Sequence, residues 1–139
     1  MAVADAAGAA RFAMYGASQG GQIAAAIAAR HPDRIQALAL YGTCADGADL
    51  APPEVRESIV ALVRAHWGIG SKLLTGIFMT DPSAADAEDF GRLGREGATA
   101  QVAADMLATY YSTSVRDLLP QITAPTTVLH REQDSATRF

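Results

Sequence analysis

Gly16-Ala17-Ser18-Gln19-Gly20 is a G-x-S-x-G stretch set between an apolar run, Arg11 to Tyr15, and an alanine-rich run, Gln22 to Arg30. The first run has the shortness and apolar character of a buried parallel strand, and it ends at a glycine. In the second, Ile23, Ala24, Ile27 and Ala28 fall at helical spacing, so one face can pack on a sheet. A serine at a sharp strand-to-helix turn is held in a strained backbone conformation with its hydroxyl exposed. The N–H of the next residue then points at the oxyanion that forms when the serine oxygen attacks a carbonyl. The pattern therefore predicts Ser18 as a nucleophile and the Gln19 N–H as an oxyanion donor. Gly16 and Gly20 are expected to be needed because a Cβ at either place would crowd the facing strand and helix. Gly21 extends the permissive stretch. The plain alternative is a glycine-rich turn with an idle serine. Among 12 glycines the pattern alone is weak, and the flanking strand and helix are what raise it.

A second feature lies near the end of the chain. The run Thr126 to His130 reads as a strand, followed by Arg131-Glu132-Gln133-Asp134. An acid a few residues past a parallel strand's carboxyl end shares a rim with a nucleophile that follows another strand. Asp134 is the candidate to orient a catalytic histidine and stabilise its imidazolium. The competing reading is a solvated loop aspartate capping a turn. Asp46 and Asp49, after an earlier strand, could stand in as the acid but are expected to be ordinary loop residues, and Glu132 is expected at the surface. None of the three histidines suits the general base: His31 sits in a helix-ending His-Pro-Asp turn, His66 on an amphipathic helix, and His130 at a strand end too near Asp134.

The elements that must position these groups fall into three zones. Residues 1–42 hold a strand, the serine turn, a helix ended by His31-Pro32-Asp33, and a second strand, Ile35 to Tyr41. Residues 43–113 form a helical insert. There Pro53 to Trp67 carries Val55, Ile59, Leu62, Val63 and His66 on one face, Gly68 and Gly70 break it, and Lys72 to Met79 forms a short apolar helix. Asp81-Pro82-Ser83 offers caps and a proline start for the next element. Ala98 to Tyr111 is a further helix with Val102, Met106, Leu107 and Tyr110 along it. Residues 114–139 return through Leu118-Leu119-Pro120-Gln121-Ile122 to the last strand.

Composition bounds the rest. The chain has 139 residues, half of them hydrophobic, which is enough for a core in one compact unit or part of one. Its net charge of −4 gives no support for nucleic acid or an anionic membrane surface as partner. Cys44 is the single cysteine, so no internal disulfide can form and nothing points to an oxidising compartment. Neither a signal peptide nor a membrane span is legible, and a cytoplasmic location is expected. A phosphate site at the turn is disfavoured, since no lysine follows Gly20-Gly21.

Four blocks in order resemble the α/β-hydrolase fold: Tyr15-Gly-Ala-Ser-Gln-Gly-Gly21, Arg30-His-Pro-Asp-Arg-Ile35, Tyr41-Gly-Thr43, and Asp117-Leu-Leu-Pro-Gln-Ile122 with Ala124-Pro-Thr-Thr-Val-Leu-His-Arg131. They are similar in particular to hydrolase-like proteins and domains found beside bacterial cyclase or transcription-regulator modules. The resemblance implies an α/β class chain whose three parallel strands are the fifth, sixth and seventh of a larger sheet, with the insert as a cap. It matches Ser18 to the nucleophile, the Gln19 N–H to one oxyanion donor and Asp134 to the acid. Arg131 replaces a glycine common in many members, and Arg138 a frequent proline. By the same resemblance, the earlier strands, the second oxyanion donor, the last strand and the catalytic histidine would lie outside these 139 residues.

The implied chemistry of an intact parent is acyl transfer through an acyl-serine, with no metal or organic cofactor. This chain alone is expected to have little or no activity, because a serine without its base is a weak nucleophile. An open apolar strand edge is expected to favour self-association. Trp67, Leu73, Phe78, Met106, Tyr110 and Tyr111 suggest an apolar or aromatic acyl substrate. The alternative function is a non-catalytic, small-ligand-binding or regulatory domain of hydrolase ancestry.

Overall fold

The computed structural model describes residues 1–137. Arg138, singled out above, lies outside the described residues. The chain divides into two compact units, residues 1–45 with 114–131, and residues 46–113 with 132–139.

The first unit opens with the short helix α1 (Ala2–Ala6) and then builds a three-stranded sheet from β1 (Phe12–Ala17), β2 (Ile35–Tyr41) and β3 (Thr126–Leu129). All pairing is parallel, in the order β1-β2-β3, with Ala17 opposite Tyr41 and Tyr41 opposite Leu129. Helix α2 (Gln19–Arg30) connects β1 to β2. It ends where His31 leaves helical geometry ahead of Pro32. The buried cluster joins Ala24 and Ala28 of α2 to Ile35, Leu38 and Leu40 of β2, with Phe12, Met14 and Ile27 packed against it. Three expectations change here. Ile23 is 57% exposed, and the buried stripe is instead Ala24, Ala25, Ala28 and Ala29. Small side chains let the helix axis approach the sheet closely, which a larger Ile23 on that face would prevent. The first strand also runs further than read, through Gly16 to Ala17, the residue before the serine. The third is one residue shorter and stops before His130. Arg34 ties the N-terminal segment down, donating to Asp5 Oδ1 at 2.6 Å and to the Ala9 carbonyl at 3.0 Å.

The second unit is helical: α3 (Pro53–Ala65), α4 (Trp67–Phe78), α5 (Ala84–Gly97) and α6 (Ala100–Ser112). Val63, Leu74, Ala103, Ala104 and Leu107 form its core, with Ile59, Val60, Trp67, Phe78 and Tyr111 packed around them. Gly68 and Gly70 do not break a helix. The chain turns earlier, at His66, whose Nδ1 accepts the Ile69 N–H and starts α4 at Trp67. Gly70 is then a packing residue: a Cβ there would lie 2.8 Å from Val63 Cα. Ser83 caps α5 by accepting the Asp86 N–H, so Pro82 stands outside the helix rather than opening it. On α6 the buried face is Ala103, Ala104, Leu107 and Tyr110, while Val102 and Met106 are exposed. A Thr99 cap sets the start of α6 two residues later than expected.

Among the described residues the outer edges of β1 and β3 have no strand partner. All four residues of β3 are exposed, as are Ala13, Tyr15 and Ala17 of β1. Parallel sheets are ordinarily covered on both faces, and bare edges pair with other strands. The 139-residue chain is therefore expected to associate in a concentration-dependent way, which sedimentation velocity measures; a monomer at all concentrations would contradict it. Within α4, Gly70→Ala should destabilise by about 1–3 kcal/mol through overpacking. Gly76→Ala, with open space around it, should stabilise by about 0.5–1 kcal/mol through helix propensity. Urea unfolding followed by far-ultraviolet circular dichroism separates the two.

Candidate active site

Ser18 sits between the last residue of β1 and the first of α2, exposed, with φ 52° and ψ −128°. Positive φ is unusual for a residue with a Cβ and costs about 1–3 kcal/mol unless its surroundings impose it. Three hydrogen bonds do so. The Ser18 N–H donates to the Tyr41 carbonyl at 3.0 Å, and its carbonyl accepts from the Gly21 N–H at 2.9 Å. Thr43 Oγ1 donates to the same carbonyl at 2.7 Å. The backbone is thus fixed by the neighbouring strand's end, the first helical turn and the loop after β2, leaving the side chain clear of all three.

The glycines divide differently from the sequence expectation. A Cβ on Gly16 would lie 2.6 Å from the Gly20 carbonyl oxygen and 2.7 Å from Ala24 Cβ, so that requirement holds. Gly20 has nothing within 4 Å of such a Cβ and is under no steric demand. The close approach belongs to Gly21, where a Cβ would overlap the Thr43 side chain. Thr43 is the positioning residue that sequence reasoning missed. Its signal was a hydroxyl two residues past the end of the second strand, next to a glycine.

Gln19 is the first residue of α2, and the first N–H groups of a helix have no acceptor within it. That leaves its N–H available beside the serine, as an oxyanion donor requires. Gln22 is buried in the next turn, and its Nε2 donates to Cys44 Sγ at 3.8 Å.

The remaining candidates are placed as follows. Asp134 is half-buried and its Oδ1 accepts the N–H groups of Ala136 at 2.9 Å and Thr137 at 3.1 Å. It caps its own turn. Asp46 also caps locally, accepting the Ala48 N–H and starting a short 3-10 helix, Gly47–Leu50, which contains the exposed Asp49. Glu132 is exposed. His31 lies at the opposite end of α2 from Ser18, across 12 residues and so roughly 18 Å. His130 follows Leu129, which pairs with Tyr41, which pairs with Ala17. Two strand spacings put it about 10 Å from the serine backbone along the rim. His66 belongs to the helical unit as the α4 cap. Neither His31 nor His130 is brought to Ser18. Among the described residues no cluster of His, Cys, Asp and Glu could hold a metal ion, and no helix is long and apolar enough to cross a membrane.

The family profile described as serine aminopeptidase, S33, matches residues 1–138. The chain belongs to this α/β-hydrolase family. Solved structures agree on the fold: the Exiguobacterium antarcticum esterase is 20% identical with a TM-score of 0.84, over 99% of this chain and 54% of its own. A hydrolase from Oleispira antarctica is 17% identical with a TM-score of 0.81, over 97% and 52%. One from Pseudomonas aeruginosa is 23% identical with a TM-score of 0.75, over 98% and 52%. The chain thus spans about half the length of the solved structures it matches. Curated proteins gave no match. The three parallel strands and their helices are part of an α/β-hydrolase fold, as the four sequence blocks implied.

If the turn stores strain at Ser18, Ser18→Gly should raise stability by about 1 kcal/mol, whereas Ser18→Ala should leave it nearly unchanged. Gly21→Ala should destabilise by about 1–3 kcal/mol and Gly20→Ala should not. Denaturant midpoints of the four variants decide; equal behaviour of the two glycines would contradict the packing described.

Proposed function

We propose that this chain carries the nucleophile of a serine hydrolase acting on an ester or related carbonyl through an acyl-serine intermediate. The observation that carries the reading is Ser18 at φ 52° on the strand-to-helix turn, in a chain of a serine-hydrolase family. Ser18 Oγ attacks the carbonyl carbon, and the Gln19 N–H stabilises the oxyanion. A histidine outside the described residues takes the serine proton and returns it to the leaving group, and water then releases the acid. Asp134 is the acid proposed to orient that histidine once its turn is joined to the complete site. The helical unit is the proposed cap. Of the aromatic and apolar residues expected to shape a pocket, Trp67, Phe78 and Tyr111 pack against that unit's own core, Tyr110 is buried, and Trp67 Nε1 donates to the Ala98 carbonyl at 2.8 Å. Leu73 and Met106 are the exposed pair left to meet an apolar acyl group. A reducing, cytoplasmic setting fits a single cysteine, Cys44, that has no second cysteine to pair with in a disulfide.

The test compares a longer protein containing this chain with the 139 residues alone, using p-nitrophenyl esters of graded acyl length and an aminoacyl p-nitroanilide. Turnover by the longer protein should fall roughly 10⁴-fold or more in Ser18→Ala. The 139-residue chain should show little or none. Full activity in the longer Ser18→Ala variant would sink the catalytic reading and favour a ligand-binding domain. Ester turnover by the 139 residues that vanishes with Ser18 would instead overturn the need for an outside base.

A further inference from the structure

A solvent-open groove of about 420 Å³ runs between α3 and α6, wholly inside the helical unit. Its volume lies within the roughly 300–1,000 Å³ of small-molecule sites. Val60, Ala61, Ala108 and Tyr111 supply apolar walls, and Arg56 and Arg64 lie along the α3 side with Glu57 between them in sequence. Two guanidinium groups against one carboxylate leave the charged lining net positive.

The two arginines differ. Arg64 already has a counter-ion, Asp105 Oδ1 at 3.0 Å, and Asp105 is held below the usual carboxylate range by the Gln101 amide and then by Arg64. Arg56 donates from Nη1 to the Tyr111 carbonyl at 3.2 Å, but its buried Nε meets no acceptor among the described residues. No carboxylate of the described residues pairs with it either. A half-buried guanidinium with no carboxylate partner gains charge-assisted hydrogen bonds when an anion reaches its accessible N–H groups. Beside it, the apolar walls suit a hydrocarbon and gain nothing from a fully hydrated ion.

We infer that the α3–α6 groove binds a monocarboxylate with an apolar tail, its carboxylate on Arg56 and its tail along Val60, Ala61 and Ala108. This site is independent of Ser18 and of the hydrolase reading. The Tyr111 phenol reports on it: burial raises its titration, and the nearby Arg56 charge partly opposes that rise. Neutralising the guanidinium with a bound carboxylate should therefore push Tyr111 higher still.

The 139-residue chain can be titrated with octanoate, 1-octanol and acetate by calorimetry and by amide NMR. Octanoate should bind saturably with shifts confined to α3 and α6, while 1-octanol and acetate bind at least roughly tenfold more weakly. Arg56→Gln should weaken octanoate by a similar factor. Ala61→Phe, at an exposed position that fills the groove and keeps Arg56, should also weaken it and stands as the test if Arg56→Gln fails to fold. The Tyr111 titration, taken as the difference from Tyr111→Phe, should move up on adding octanoate. Absence of saturable binding, equal affinity for 1-octanol, or indifference to Ala61→Phe would each overturn the inference.

Discussion

The local geometry at Ser18 depends on one close approach: β1, the first turn of α2 and the loop after β2 meet with no room for a side chain at Gly16 or Gly21. A Cβ on Gly16 would strike the backbone of Gly20 and Gly21, and one on Gly21 would strike Thr43. Because those contacts are met, the Tyr41 carbonyl, the Gly21 N–H and the Thr43 hydroxyl can all reach the Ser18 backbone at once. The positive φ follows, and the exposed hydroxyl follows from the φ. The strain is local, but what sustains it spans residues 16 to 43. Helix α2 contributes its alanine stripe to the same end, since a bulkier face would lift the helix off the sheet and loosen the turn.

Most of this was legible because it is nearly contiguous in sequence. Strand, serine and helix lie within Phe12–Arg30, where composition and period reveal each element. The errors came where packing, not period, made the choice. Ile23 looks like a core residue by spacing, yet alanines occupy the face because the approach distance is short. Gly70 reads as a breaker, yet it lets α4 lie against Val63. Gly20 reads as a steric requirement because it belongs to the motif, while the demand falls on its neighbour. The hydrogen bonds of Thr43 to the Ser18 carbonyl and of Arg56 to the Tyr111 carbonyl were not read from the sequence, since each reaches across tens of residues to a backbone group that period and composition do not mark.

The candidate site divides along the same line. The proposed nucleophile and oxyanion donor sit on one turn, so a single stretch is enough to carry both. A base and its orienting acid must come from other strand ends, and only tertiary structure brings them together. Asp134 shows the difference: its carboxylate is spent on two N–H groups of its own turn, a local arrangement that rigidifies the loop. Such capping is compatible with a catalytic role, because a carboxylate has further lone pairs to offer a histidine.

The two units also differ in what holds them. The helical unit draws its core from three helices, α3, α4 and α6, that pack around Val63 and Ala104, both fully buried. Its outer faces still carry exposed apolar residues, Leu93 at 61% and Met106 at 54% among them. The sheet unit has α2 over one face, while Tyr15 at 65% exposure and Val128 at 58% leave apolar surface facing solvent. Among the described residues the outer edges of β1 and β3 are unpaired, so the sheet gains only part of the burial such sheets normally have. The strain at Ser18 is borne by this sheet unit. Its persistence rests on the Gly16, Gly21 and Thr43 contacts rather than on the depth of a core, so those three positions, more than any apolar one, govern whether the serine stays exposed.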